Sequence, residues 1–238
     1  MERRHRSALT VLVVVVLLAG LLAAGLYGAD RWAKQRIERQ AAKNLQSALA
    51  TPGEPDVSID GFPFLSQVAA RNVRQMHVVA EDLGITGDNA LGVANLDLLL
   101  TDVTTTDWFE TMTASHAEGT ALIDYSALER AATVPLSYAG EGRIRMETTT
   151  TLLGAKVVAQ ITGSPRLDLG DQTITLADPT VKVADVDLPD FAATALLGTV
   201  IKPIPLKGLP LGLAATSVAA EADALRIGVA ADAVPLQA

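Results

Sequence analysis

From Ala8 to Ala29 the chain runs for 22 residues without a charge, ALTVLVVVVLLAGLLAAGLYGA. At 1.5 Å per residue a helix of that length covers about 33 Å, close to the thickness of a bilayer's hydrocarbon layer. It reads as one membrane-spanning helix. A cleaved export signal is the rival, but a cut after Ala29 would put Tyr27 where a small residue is wanted, and the run outlasts the usual apolar core of a signal. A retained anchor is therefore expected. It divides the chain into a tail and span at 1–29 and a β-rich body at 30–238.

The flanking charges pull two ways on orientation. Arg3, Arg4 and Arg6 precede the span, while Arg31, Lys34, Arg36, Arg39 and Lys43 follow it. Counting basic residues on both sides mildly favours a cytoplasmic body. A very short basic tail followed at once by an apolar run is the order of an export signal, and it outweighs the count. The expectation is a single-pass protein of the cell membrane with its body on the outer, periplasmic or cell-wall, side.

Removing Arg3, Arg4, Arg6 and Glu2 leaves 16 basic against 26 acidic residues in the body. Nucleic-acid binding needs a positive field to displace condensed counterions, so that class is set aside. Aromatic residues are only 4% of the chain, and its core must be built from Val, Leu, Ile and Ala. The absence of cysteine removes disulfides, thiolate nucleophiles, thiolate metal sites and a lipid-modified cysteine anchor together.

After the span, Ile37, Ala41, Leu45 and Leu49 recur at intervals of four with charged residues between them, the signature of an amphipathic helix, with Asp30 placed to cap it. That stripe suits packing on the body's sheet better than lying on a membrane. From Val57 the pattern turns to alternation. Leu96, Leu98 and Leu100 form one strand face; Ala117, Gly119, Ala121 and Ile123 a second; Ile144, Met146, Thr148 and Thr150 a third; Val157, Ala159 and Ile161 a fourth; Ile174 and Leu176 a fifth. Period two with Gly-rich breaks predicts a long curved antiparallel sheet built by hairpins, an α+β fold. Helices are expected at Tyr125–Ala132, capped by Asp124, and at Leu188–Ile201, with short strands at Leu211–Leu213 and Leu225–Val229.

No enzyme motif is present: neither the nucleophile elbow, the P-loop, the dinucleotide fingerprint nor the paired-histidine zinc helix. His5, His77 and His116 are too far apart in sequence to argue for metal. The chain reads as a non-enzyme that needs no cofactor. A sheet with one apolar face folded over a helix leaves either a closed core or a cleft lined by aliphatic side chains. Such a cleft suits an acyl chain, because each buried methylene contributes about 0.8 kcal/mol without a specific partner.

Four stretches tilt that choice. Val57–Gln67, VSIDGFPFLSQ, resembles the GFPFL signature of the actinobacterial LmeA-like phospholipid-binding family. Ala117–Leu128, Leu136–Ile144 and Ile204–Leu213 resemble, in order, its strand into a short helix, a strand entry and a proline-rich approach to the last strands. The resemblance implies a fold like that of tubular lipid-binding proteins, with a curved sheet wrapped around a helix to form an apolar groove. It implies an envelope protein whose partners are the membrane and phospholipid, phosphatidylinositol among them, and a link to lipid transfer or lipoglycan maturation. The residues expected to line the groove are Phe62, Phe64, Leu65, Leu96, Leu98, Leu100, Ile123, Ile144, Met146, Val157, Ile161, Leu197 and Ile201. Arg71, Arg74, Arg143 and Arg145 are the cations nearest the motifs. A structural or interaction module of the envelope, carrying no lipid, is the alternative.

Overall fold

The computed structural model describes residues 2–83, 92–105, 111–152, 155–183, 186–187, 203–206 and 208–236. It begins with a single unbroken helix, α1 (Glu2–Leu49), so the apolar span and the amphipathic stripe are one rod. Its best 18-residue window has a mean hydropathy of 2.5 and none of that window is covered by the rest of the molecule. The second half of the rod is different. Ala41, Leu45 and Leu49 are fully or almost fully buried and Ile37 packs beside them, so the four-residue stripe meets the body as its spacing predicts.

The body holds two antiparallel sheets rather than one. The first contains β1 (Asp56–Ile59), β2 (Asn72–Leu83), β3 (Val93–Thr105), β4 (Met112–Asp124), β11 (Ala214–Ala220) and β12 (Ala224–Pro235), in the order β1-β2-β3-β4-β12-β11. The second is built from β5 (Leu136–Gly140), β6 (Arg143–Leu152), β7 (Ala155–Asp168), β8 (Thr173–Val183) and β10 (Ile204–Pro205), with β9 (Val186–Asp187) also paired to β8. One sheet is curled into a half-barrel. Alternation identifies strands but not their partners. The chain leaves the first sheet through α3 (Tyr125–Ala132) and returns only for the last hairpin, which pairs with β4.

Glycines in the strands mark where backbones crowd. Gly119 on β4 stands opposite Leu98 on β3 and Val229 on β12, and a Cβ there would lie 2.0 Å from the Asp97 carbonyl oxygen. Only glycine allows β3 and β4 to come this close.

Two sequence expectations need correction here. Leu211 does not start a strand: Pro210–Gly212 is a short 3-10 turn in which Leu211 has φ 58°, and the strand begins at Ala214. Asp124 occupies the cap position of α3, but its side chain makes no capping bond. The expected helix at Leu188–Ile201 lies outside the described residues.

α3 is instead held by its neighbours. Glu129 accepts from the Leu136 amide at 2.9 Å, and the Tyr125 hydroxyl donates to the Glu221 carbonyl at 2.8 Å, tying the helix to the turn between β11 and β12. Burial, aided by the nearby Tyr138, Glu221 and Asp223, pushes the Tyr125 hydroxyl up from 10.0 to about 12. A folded-state pKa above the unfolded one means that this contribution is whole below pH 10 and is lost as pH rises through about 12. Thermal melts across that window should show wild type losing more stability than Tyr125→Phe. Parallel curves for the two proteins would remove the assignment.

Candidate functional site

The inner face of the first sheet is a set of aligned aliphatic rows. Met76, Leu100 and Ala117 lie in register, as do Val78, Leu98 and Gly119, then Ala80, Leu96 and Ala121, and the last row extends to Ile227. Ile123 pairs with Leu225 at the end of the face. On the second sheet Met146 faces Ile161 and Ile161 faces Val181, with Leu136 and Ile144 on the same side. Both faces belong to one cluster of buried residues. Leu96, Leu98, Leu100, Ile123, Ile144, Met146 and Ile161 are thus brought together, all buried, while Val157 is half-buried at the margin. Leu197 and Ile201 lie outside the described residues.

No strand of one sheet pairs with a strand of the other among the described residues. β11 lies against β7, α3 spans from β4 to β5, and the Gln172 side chain, in the turn after β7, accepts from the Ala215 amide on β11 at 2.7 Å and donates to its carbonyl at 3.2 Å. Aliphatic contact between layers is non-directional, and parting them breaks no ladder of hydrogen bonds.

The Gly61–Leu65 loop sits at one end of this assembly, beside α1. Gly61 has φ 102°, and the Phe62–Pro63 peptide is cis. α2 (Phe64–Ala70) follows, with Pro63 at its cap position and so without a side-chain cap of its own. Asp30 supplies it from across the fold: its carboxylate accepts from the Leu65 amide at 2.7 Å while 4% exposed. This corrects the sequence reading of Asp30 as the cap of its own helix, because α1 continues through that position and leaves the carboxylate free to cap another. Asp30→Ala should therefore lower stability by about 1 to 2 kcal/mol, with Asp30→Asn closer to wild type because its amide oxygen still accepts. Denaturant titration reads both, and equal losses would count against the capping role.

Buried Gln67 completes the clamp, donating to the Asp60 carbonyl at 2.9 Å and accepting from the Arg74 amide at 3.0 Å. These bonds send the two rings of the motif opposite ways. Phe64 is fully buried in the core, whereas Phe62 is 71% exposed and Leu65 is partly exposed. Phe62 does not stand free: its ring centroid lies 6.0 Å from that of Tyr27, within the apolar span of α1.

The four arginines do not form one site. Arg71 closes α2 with φ 53°, and Arg74 borders a surface hollow with Ser66, Gln67, Asn72 and Asp102. Arg143, on the other sheet, donates to the Thr162 and Asp178 carbonyls. The structure also pairs side chains that sequence distance hid. His77 meets Asp97 at 2.6 Å between β2 and β3, and His116 meets Asp232 at 2.7 Å between β4 and β12. Only the strand register reveals such pairs. No group of three or more metal-binding side chains occurs among the described residues.

The family model for LmeA-like phospholipid binding matches residues 28–230, which spans both sheets and the clamped loop. The chain belongs to the LmeA-like phospholipid-binding family. No curated protein and no solved structure matches it. The LmeA-like match starts at the end of the apolar span, so the family resemblance resides in the body. It is a lipid-binding family, not an enzyme family.

Proposed function

We propose that this chain is an envelope phospholipid-binding protein held at the cell membrane by α1, with residues 30–238 as its lipid-binding body on the outer side. Acyl chains lie between the two sheets, against Leu96, Leu98, Leu100 and Ile123 on one and Ile144, Met146, Val157 and Ile161 on the other, with Leu197 and Ile201 completing the lining. Phe62, Phe64 and Leu65 stand at the entrance, with Phe64 as its inner wall. Lipid transfer, or supply of phospholipid to lipoglycan maturation, is the role this arrangement serves, and phosphatidylinositol is the expected ligand.

The observation that carries the reading is the shared aliphatic interior of two sheets with no strand pairing between them among the described residues, in a chain of this family. When an acyl chain enters between such layers, apolar contact replaces apolar contact. The lipid gains about 0.8 kcal/mol for each methylene removed from water, while the protein gives up no strand ladder. The headgroup stays outside with the solvent and the membrane surface.

Native mass spectrometry of the full chain released from detergent micelles tests this. A bound phospholipid in simple stoichiometry, retained after detergent is stripped, is expected. A bare chain would favour an envelope interaction module.

A further inference from the structure

The apolar span ends at Ala29, but the exposed aromatic residues do not end there. Tyr27 lies two residues inside the end of the span, and Trp32 lies five residues beyond Tyr27, about 7.5 Å further along the helix. Both are exposed, at 54% and 63%. The two are about 140° apart around α1 and a little more than one turn apart along it. Phe62, from the clamped loop, packs its ring against Tyr27, and the guanidinium of Arg36 lies 5.7 Å from the Trp32 ring centre. Arg31, Arg36 and Arg39 follow on exposed positions of the rod.

Aromatic side chains followed by cations, at the point where an apolar helix ends, are what the headgroup layer of a bilayer accommodates. Tyr27, Trp32 and the three arginines all lie on α1. Phe62 arrives from a loop after β1, and its position is built rather than left over: Asp30, Gln67 and the Phe64 anchor fix the backbone on either side of it. A large ring held out by three internal constraints, beside the last turns of the span, is aimed at that layer.

We infer that the Gly61–Leu65 loop is a membrane-docking wedge: Phe62 and Leu65 are seated in the interface of the same anionic bilayer that α1 crosses, with Tyr27 and Trp32 completing a belt around the helix. The body is then held with its loop end on the lipid surface rather than on a free tether, and a phospholipid reaches the sheets without crossing open water. This rests on the reading of α1 as a retained span.

The natural chain has no cysteine, so single labels can be placed without other changes. Leu18→Cys, Phe62→Cys and Ser47→Cys are each coupled to an environment-sensitive fluorophore. Each full chain is reconstituted in vesicles of phosphatidylcholine and phosphatidylglycerol containing lipids brominated either high on the acyl chain or near its end. Ser47 is exposed on the same rod, about 25 Å beyond Asp30, and serves as the outside reference. The expected result is loss of emission at position 62 with the high bromines, at position 18 with the deep ones, and none at position 47. Emission at position 62 that matches position 47 while position 18 is quenched would overturn the wedge and leave the span standing. An unquenched position 18 would overturn the span and the wedge with it.

Discussion

Leu98→Glu is expected to prevent the β body from folding, not merely to lower its lipid content. Leu98 is fully buried, with Val78 and Gly119 on either side of it in the first sheet. A carboxylate there meets no cation or hydrogen-bond donor in that aliphatic row, and even protonated it leaves polar atoms unsatisfied. The loss is several kcal/mol, set against a total stability of about 5 to 15 kcal/mol for an ordinary domain. Circular dichroism and limited proteolysis of the full chain would read it as loss of strand signal and of protection. Leu98→Ala makes the useful contrast, because it should fold with a deficit of about 2 to 5 kcal/mol and a larger interior. A Leu98→Glu protein that melts near wild type would mean that water already reaches this row.

Gly119→Ala ranks next. The added carbon would meet the Asp97 carbonyl oxygen at 2.0 Å and the Leu98 Cα at 2.9 Å, both backbone atoms of the neighbouring strand. Side chains can turn away, but a paired strand moves only by giving up its register. The expected cost is about 3 kcal/mol or more. Gly228→Ala is the control for this reasoning. Its nearest obstacle is the Ser217 hydroxyl at 2.4 Å, followed by the Thr216 hydroxyl, and both can rotate. Gly140→Ala is a second comparison: the space is open but φ is 89°, so the expected loss is about 1 to 2 kcal/mol from backbone conformation alone. Equal melting temperatures for the Gly119 and Gly228 variants would contradict the close approach of β3 and β4.

Local periodicity makes several of the strands readable in the sequence. Leu96, Leu98 and Leu100, like Ile144 and Met146, point inward because a strand repeats every second residue and one side must leave water. The same rule weakens where a strand is irregular. On β2 the buried positions Val73 and Met76 are three apart, and across the pair Asp102 has φ 49°, so alternation breaks and the sequence pattern does not mark that strand. The division into two sheets was not legible, because which strands pair depends on a connection, α3, that sends the chain to a new layer. Asp30 misleads for a related reason: a cap residue before an apolar run looks the same whether the helix starts there or passes through. The site was partly legible. The aliphatic rows followed from alternation, and the GFPFL motif drew attention to the loop, but the opposite fates of Phe62 and Phe64 depend on hydrogen bonds from Asp30 and Gln67 that only the folded chain assembles.

Acyl chains between the two sheets should be within reach of a reactive group carried on a lipid tail. The most direct test of that position places the full chain in bilayers containing a phospholipid with a photoreactive diazirine near the end of one acyl chain, followed by mapping of the crosslinked residues. The expected result is adducts on the inner-face residues of Val93–Thr105 and Arg143–Asp168 in addition to those on the span. Adducts confined to α1 and the Gly61–Leu65 loop would contradict it.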